Sequence, residues 1–202
     1  GIADDSSVVY NAIISLNKAG EDSKYYRTLF FPSGTYLITS NVIPLPYGTY
    51  LKGEGIGRTI IKSKDYLDAI MVTMDSNMNM GTATEYGLNA KLPEYITVED
   101  LTIDVSDSIT SSLLLLATCH NVLFKNVEFV GTNITNLVKL ADNSHSSKSS
   151  HIVFDGCIFN TGETAINSIH SVEHLVVKNC LFRNIKNESI VLNPNDNFEI
   201  IN

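Results

Sequence analysis

A chain of 202 residues with 44% hydrophobic and 18% charged side chains can bury a sizeable core, which excludes intrinsic disorder. A formal net charge of −8 and a pI near 5.0, without any basic run, exclude a surface built to neutralise nucleic-acid phosphates. No stretch nears the roughly 18 apolar residues of a membrane span, and the three cysteines, which include no CxxC pair, make neither a disulfide framework nor a zinc site. Cys119, Cys157 and Cys180 are read as core thiols, and no metal, cofactor, nucleic acid or membrane insertion is expected.

The chain opens at Gly1-Ile2 without methionine or a basic-then-apolar leader, as expected of a processed or excised chain. Asp4-Asp5-Ser6-Ser7 are good helix-capping residues, and Val8, Val9, Ala12, Ile13 and Leu16 follow at helical spacing up to Gly20. That predicts a capping helix over residues 1–20 that plugs one end of the fold. Leu29-Phe30-Phe31, Thr35 to Ile38, Thr49 to Leu51 and Thr59 to Lys62 read as strands, with a Pro32-Ser33-Gly34 turn between the first two. Gly53-Glu54-Gly55-Ile56-Gly57 lacks the order of a phosphate loop and reads as a turn. Asp75 to Glu94 is poor in strand pattern, with Met78, Met80, Tyr86 and Tyr95 near its ends. Such an excursion is a natural ligand-contact loop, although packing on the scaffold is the simpler reading.

A repeat then decides the fold. Tyr95 to Ile103, Asn121 to Phe129, His151 to Phe159 and His174 to Phe182 align without gaps. In each, positions two, four, seven and nine are apolar, as in Val122, Phe124, Val127 and Phe129, which is the pattern of two short strands sharing one inner face. The sixth position holds Asp100, Asn126, Gly156 or Asn179, residue types that tolerate the left-handed conformation and so can turn the chain sharply. These corners lie 26, 30 and 23 residues apart, so each repeat is one short circuit and only stacking can supply a core. A third strand per circuit is read at Leu113 to Leu116, Leu137 to Leu140, Ala165 to Ile169 and Ile190 to Leu192. The predicted fold is all-β, a right-handed parallel β-helix with three strands per turn over residues 21–202. Asn197 to Asn202 fit the first six positions of a fifth repeat, so the β-helix is expected to be truncated at its C-terminal end, with further repeats in the intact protein.

Ala3-Asp4-Asp5-Ser6, Ala12-Ile13, the run Phe30-Phe31-Pro32-Ser33-Gly34-Thr35-Tyr36-Leu37-Ile38, and Leu51-Lys52-Gly53-Glu54-Gly55 together resemble the start of the pectate-lyase-like β-helix domains. These occur in bacteriophage tailspikes and in microbial polysaccharide lyases and hydrolases. By motif the resemblance covers residues 1–62, and beyond that only by repeat architecture. It implies a polysaccharide-handling surface, while the reaction stays open because one fold hosts many chemistries.

Glycoside hydrolysis needs two carboxyl groups, one to protonate the leaving oxygen and one to act as nucleophile or base. Glu163 and Glu188 both precede the third strand on adjacent circuits and are the best candidate pair; two solvated corner glutamates are the simpler reading. Asp104 and Asp107, with Glu128 one circuit on, form a second, substrate-binding set. The outward column Glu99, Lys125, Asp155, Lys178 alternates in sign and reads as a charge ladder worth little energy per pair. His170 and His174 flank strand rather than helix and so do not share a face as metal ligands do. Outward apolar residues such as Leu123, Val153, Val176, Ile158 and Leu181 suggest a partner surface. Three functions fit: a tailspike or tail-fibre domain that binds bacterial surface polysaccharide with or without depolymerising it, a secreted polysaccharide lyase or hydrolase, and a structural β-helix. The first implies a virion or extracellular location and a homotrimer or contact with other virion subunits.

Overall fold

Alternating apolar residues cannot bury themselves within one circuit, so the circuits stack. The computed structural model describes residues 4–20, 27–40, 42–64, 69–74, 92–106, 111–141, 149–169, 172–194 and 197–201. Its strands wind into a right-handed parallel β-helix of about five turns. The first face stacks Arg27–Phe30, Thr49–Lys52, the opening halves of Glu94–Asp104 and His120–Val130, then Ser149–Asp155, Val172–Lys178 and Phe198–Ile201. The second face stacks Gly34–Ile38, Thr59–Ser63, the closing halves of those two long strands, Ile158–Gly162 and Leu181–Ile185. The third stacks Ile43–Leu45, Met71–Thr73, Ser112–Ala117, Asn136–Ala141, Thr164–Ser168 and Ile190–Val191. Every pairing is parallel and in register, for example Val98 on Phe124, Phe124 on Phe154 and Phe154 on Val177.

Register turns the repeat into columns of like residues inside the core. Phe124 stacks on Phe154 with centroids 5.2 Å apart, Phe129 on Phe159 at 5.1 Å and Phe159 on Phe182 at 4.9 Å. Val127, Cys157 and Cys180 form the neighbouring column. All three cysteines are free; Cys119 and Cys157 are buried and burial pushes the Cys119 thiol up to about 12, whereas Cys180 is only partly buried and its thiol is held below its ordinary value by the Cys157 thiol beside it.

The corner residues do what their types imply. Asp100, Asn126, Gly156 and Asn179 all have φ between 49° and 65°. The Asn126 amide donates to Asp100 (3.2 Å), and the Asn179 amide donates to Asp155 (3.1 Å). A second left-handed column escaped the sequence reading. Gly48, Tyr95, Asn121, His151 and His174 stack where the chain enters the first face, with φ between 54° and 70°. Asn and His tolerate this conformation, but a bulky Tyr rarely does, at a cost of about 1–2 kcal/mol.

In the first turn the corner is tighter. A Cβ on Gly53 would lie 2.3 Å from the Asp100 carbonyl oxygen and 2.8 Å from Thr59 Cβ, and that carbonyl already accepts the Gly55 N–H at 2.7 Å. Backbone cannot yield as a side-chain tip can. Gly53→Ala is therefore expected to destabilise by about 1–3 kcal/mol, read as a lower urea midpoint at unchanged slope.

The helix Ser6–Gly20 caps this end. The Asp4 carboxylate accepts the Ser6 N–H (3.0 Å), while Asp5 accepts from Leu37 N–H (3.0 Å) and Ser6 Oγ from Thr39 N–H (2.8 Å). The capping residues thus also tie the helix to the strand Gly34–Ile38. Val9 and Ile13 enter the core, but Val8 is 68% exposed, so the apolar stripe is narrower than its spacing implied. Two strands were not foreseen. Ile43–Leu45 has Pro44 at its centre, which is tolerated because this strand is an edge paired only with Met71–Thr73.

Candidate functional site

On the third face one column, Leu115, Lys139, Asn167 and Val191, is partly exposed; a second, Ser112, Asn136, Thr164 and Glu188, is buried except at Glu188. Asn167 Nδ2 donates to Asn136 Oδ1 at 2.9 Å, and Thr164 Oγ1 lies 3.5 Å from Glu188 Oε2. Ser112 Oγ, buried at the head of its column, has no hydrogen-bond partner among the described residues.

Glu163 and Glu188 meet at the start of this face. Ile166 pairs with Ile190, which sets Glu188 on Thr164 and Glu163 on Asn187. The Glu163 carbonyl accepts the Asn187 N–H (2.9 Å), and the Glu188 carbonyl accepts the Ala165 N–H (3.1 Å). The two glutamates therefore sit in neighbouring columns of adjacent rungs, Glu163 half-buried and Glu188 exposed. With rungs about 4.8 Å apart and about 3.3 Å per residue, their α-carbons lie about 6 Å from each other. Missed by the sequence reading were Asn136, Lys139 and Asn167. The alternation Val138 in, Lys139 out, Leu140 in could have found Lys139 and, through register, Asn167; it does not single out Asn136, which is buried.

The second acidic set lies on the outer side of the second face. Asp104 caps the Ser106 N–H (2.8 Å) and pairs with Lys62 (3.7 Å). Glu128 accepts from Asn160 Nδ2 (3.3 Å) and lies 3.4 Å from Thr102 Oγ1. Thr102 pairs with Glu128, so Asp104 and Glu128 share a face but stand two positions apart on adjacent strands. Asp107 lies outside the described residues, as do His170, Asn202 and residues 75–91 of the expected ligand-contact loop.

The charge ladder on the first face runs Lys52, Glu99, Lys125, Asp155, Lys178. Glu99 is its buried member, with Oε1 accepting from Lys52 Nζ (2.6 Å) and Tyr50 Oη (2.5 Å). Desolvation works to raise its pKa, but these two hydrogen bonds and the Lys52 and Lys125 charges outweigh it and hold the carboxyl below its ordinary value. A carboxyl depressed on folding adds stability above its unfolded value, about 4.3, and that stability is lost as pH falls through the folded value. The melting temperature is accordingly expected to drop below pH 4.5 by more in the wild type than in Glu99→Gln.

Among the described residues no group of three His, Cys, Asp or Glu side chains could hold a metal, and no helix is long and apolar enough to cross a membrane. The same fold occurs in a Parabacteroides merdae protein with a provisional glycosyl hydrolase assignment: TM-score 0.70, 14% identity, covering all of this chain and 88% of that one. It occurs in the A-module of the mannuronan C-5 epimerase of Azotobacter vinelandii (0.62, 17% identity), where 94% of this chain matches 56% of the other. The ORF18 protein of Geobacillus virus E2 (0.63, 19% identity) matches over all of this chain and 45% of its own length. No curated protein matches the sequence. The profile of the rhamnogalacturonase A/epimerase, pectate-lyase-like family matches residues 1–201, and the chain belongs to that family.

Proposed function

We propose that the chain is a tailspike-like β-helix that binds bacterial surface polysaccharide and hydrolyses it on the third face, in a virion tail or elsewhere outside the cell. The observation that carries this reading is the position of Glu163 and Glu188 on adjacent rungs at the start of the third face, beside the partly exposed column of Lys139 and Asn167. One carboxyl protonates the leaving glycosidic oxygen while the other attacks or activates water. Asn167 and Lys139 hold sugar hydroxyls and carboxylates. Asp104, Asp107 and Glu128 extend the binding surface over the second face. The outward row Leu123, Val153 and Val176 is only half-buried, in keeping with a homotrimer or contact with other virion subunits. Sedimentation of the full-length protein is expected to give three times the chain mass, and a concentration-independent monomer would remove that part of the reading.

Family membership also favours a secreted enzyme, and a single assay separates the possibilities. The full-length protein is incubated with capsular and cell-wall polysaccharides while chain length, absorbance of unsaturated uronate ends and C5 configuration are followed. Shortening without new absorbance is expected. New absorbance would indicate a lyase, and inversion at C5 without shortening would indicate an epimerase. Binding alone would leave a receptor-binding spike.

A further inference from the structure

Of the left-handed columns, which include Thr161 on Asn184, the two that bound the first face differ in residue type. Where the first face ends, the column holds Asp100, Asn126, Gly156 and Asn179, the types this conformation favours. Where the first face begins, Tyr95, His151 and His174 occupy the same conformation, with Asn121 between the first two. Left-handed geometry turns these side chains away from the core. Tyr95 is 44% exposed, and His151 and His174 are exposed. Tyr95 meets Tyr47 edge-on at 5.8 Å, and the His151 and His174 rings stack at 4.7 Å. Nδ1 of His151 faces Ser150 Oγ (3.2 Å) and Nδ1 of His174 faces the Asn197 amide (3.5 Å). The preceding column, in register, is Glu94, His120, Ser150 and Glu173.

Tyr95 is strained where asparagine would cost less, which points to use of its side chain; His151 and His174 tolerate the conformation and continue the strip through their exposed, stacked rings. Resting on the polysaccharide reading above, we propose that Tyr95, Asn121, His151 and His174 form a contact strip for a neutral glycan lying along the β-helix axis, away from the Glu163 and Glu188 pair. The Tyr95 ring offers an apolar face to a pyranose, and the imidazoles and the Asn121 amide bond its hydroxyls. Glu94 and Glu173 accept from hydroxyls and repel uronates, in a chain whose net charge is already −8. This selects neutral sugars.

The test uses Tyr95→Asn, the double variant His151→Asn/His174→Asn, and the control Asn126→Gly at the other corner. Each full-length protein is run through gels cast with a neutral glucan, galactan or mannan, or with polygalacturonate or alginate. Expected is retention of the wild type and the control by a neutral polymer, with retention weakened tenfold or more in both strip variants and melting temperatures unchanged or raised. Equal retention by the strip variants, or retention by acidic polymers alone, overturns the strip and leaves the polysaccharide reading standing. Lost retention with a lowered melting temperature would assign these side chains a structural role and also overturn it. Wild-type retention by none of the five polymers overturns the strip, while the polysaccharide reading stands or falls on the capsular and cell-wall polymers.

Discussion

Phe154→Ala is expected to cost about 3–5 kcal/mol of stability. The Phe154 ring is fully buried, stacked on Phe124 at 5.2 Å and edge-on to Phe159 at 5.6 Å and Phe129 at 6.1 Å. Removing it takes one ring out of the middle of two interlocked columns. The strands on either side are pinned by backbone register, with Phe154 paired to Phe124 and to Val177, so the circuit cannot collapse onto the cavity. The cost therefore contains both the lost transfer energy and the unfilled volume. Phe182, at the end of the neighbouring stack through Phe129 and Phe159, is only half-buried, and Phe182→Ala is expected to cost clearly less. Urea unfolding followed by far-ultraviolet circular dichroism measures both. A Phe154→Ala cost below about 1 kcal/mol would mean that the column is not a rigid core.

Glu163→Gln and Glu188→Gln are each expected to slow polysaccharide shortening about 10²–10⁴-fold, the range for loss of a general acid or base. Glutamine keeps the size and hydrogen-bonding shape of the side chain but cannot hold or release the proton. Groups that act as a unit are non-additive, so the double variant is expected to be little slower than either single one. Glu128→Gln, in the binding set on the second face, is expected to weaken binding of the polymer without a comparable loss of turnover rate. A Glu163→Gln protein that shortens polymer at the wild-type rate would remove the pair from the chemistry.

Much of the fold was legible in the sequence because a β-helix writes its geometry as a repeat. Asp100, Asn126, Gly156 and Asn179 announced one corner through their chemistry, and the apolar positions on either side announced the inner columns. The other corner was harder to see: it mixes Tyr95, which left-handed backbone rarely holds, with Asn121, His151 and His174, which tolerate it but are common elsewhere, so no single residue type marks the turn. Ile43–Leu45 was hidden by Pro44, which argues against a strand until its edge position is known. The carboxyl pair was found from order along the chain, as two glutamates preceding equivalent strands. Their offset by one column depends on circuit length, because the loop between the third-face strands Thr164–Ser168 and Ile190–Val191 sets which residues stack. Periodicity within a strand does not carry that information. The hydrogen-bonded Asn136 and Asn167 likewise come together only through register across circuits.

The central claim is that polysaccharide is handled on the third face. It is tested most directly by a crystal structure of the full-length Glu188→Gln protein with an oligosaccharide cut from a polymer that the wild type retains. The account predicts sugar rings across the partly exposed column of Lys139 and Asn167, with a glycosidic oxygen within hydrogen-bonding reach of Glu163. Sugar bound only over the second face, or with both glutamates pointing away from it, would contradict the claim.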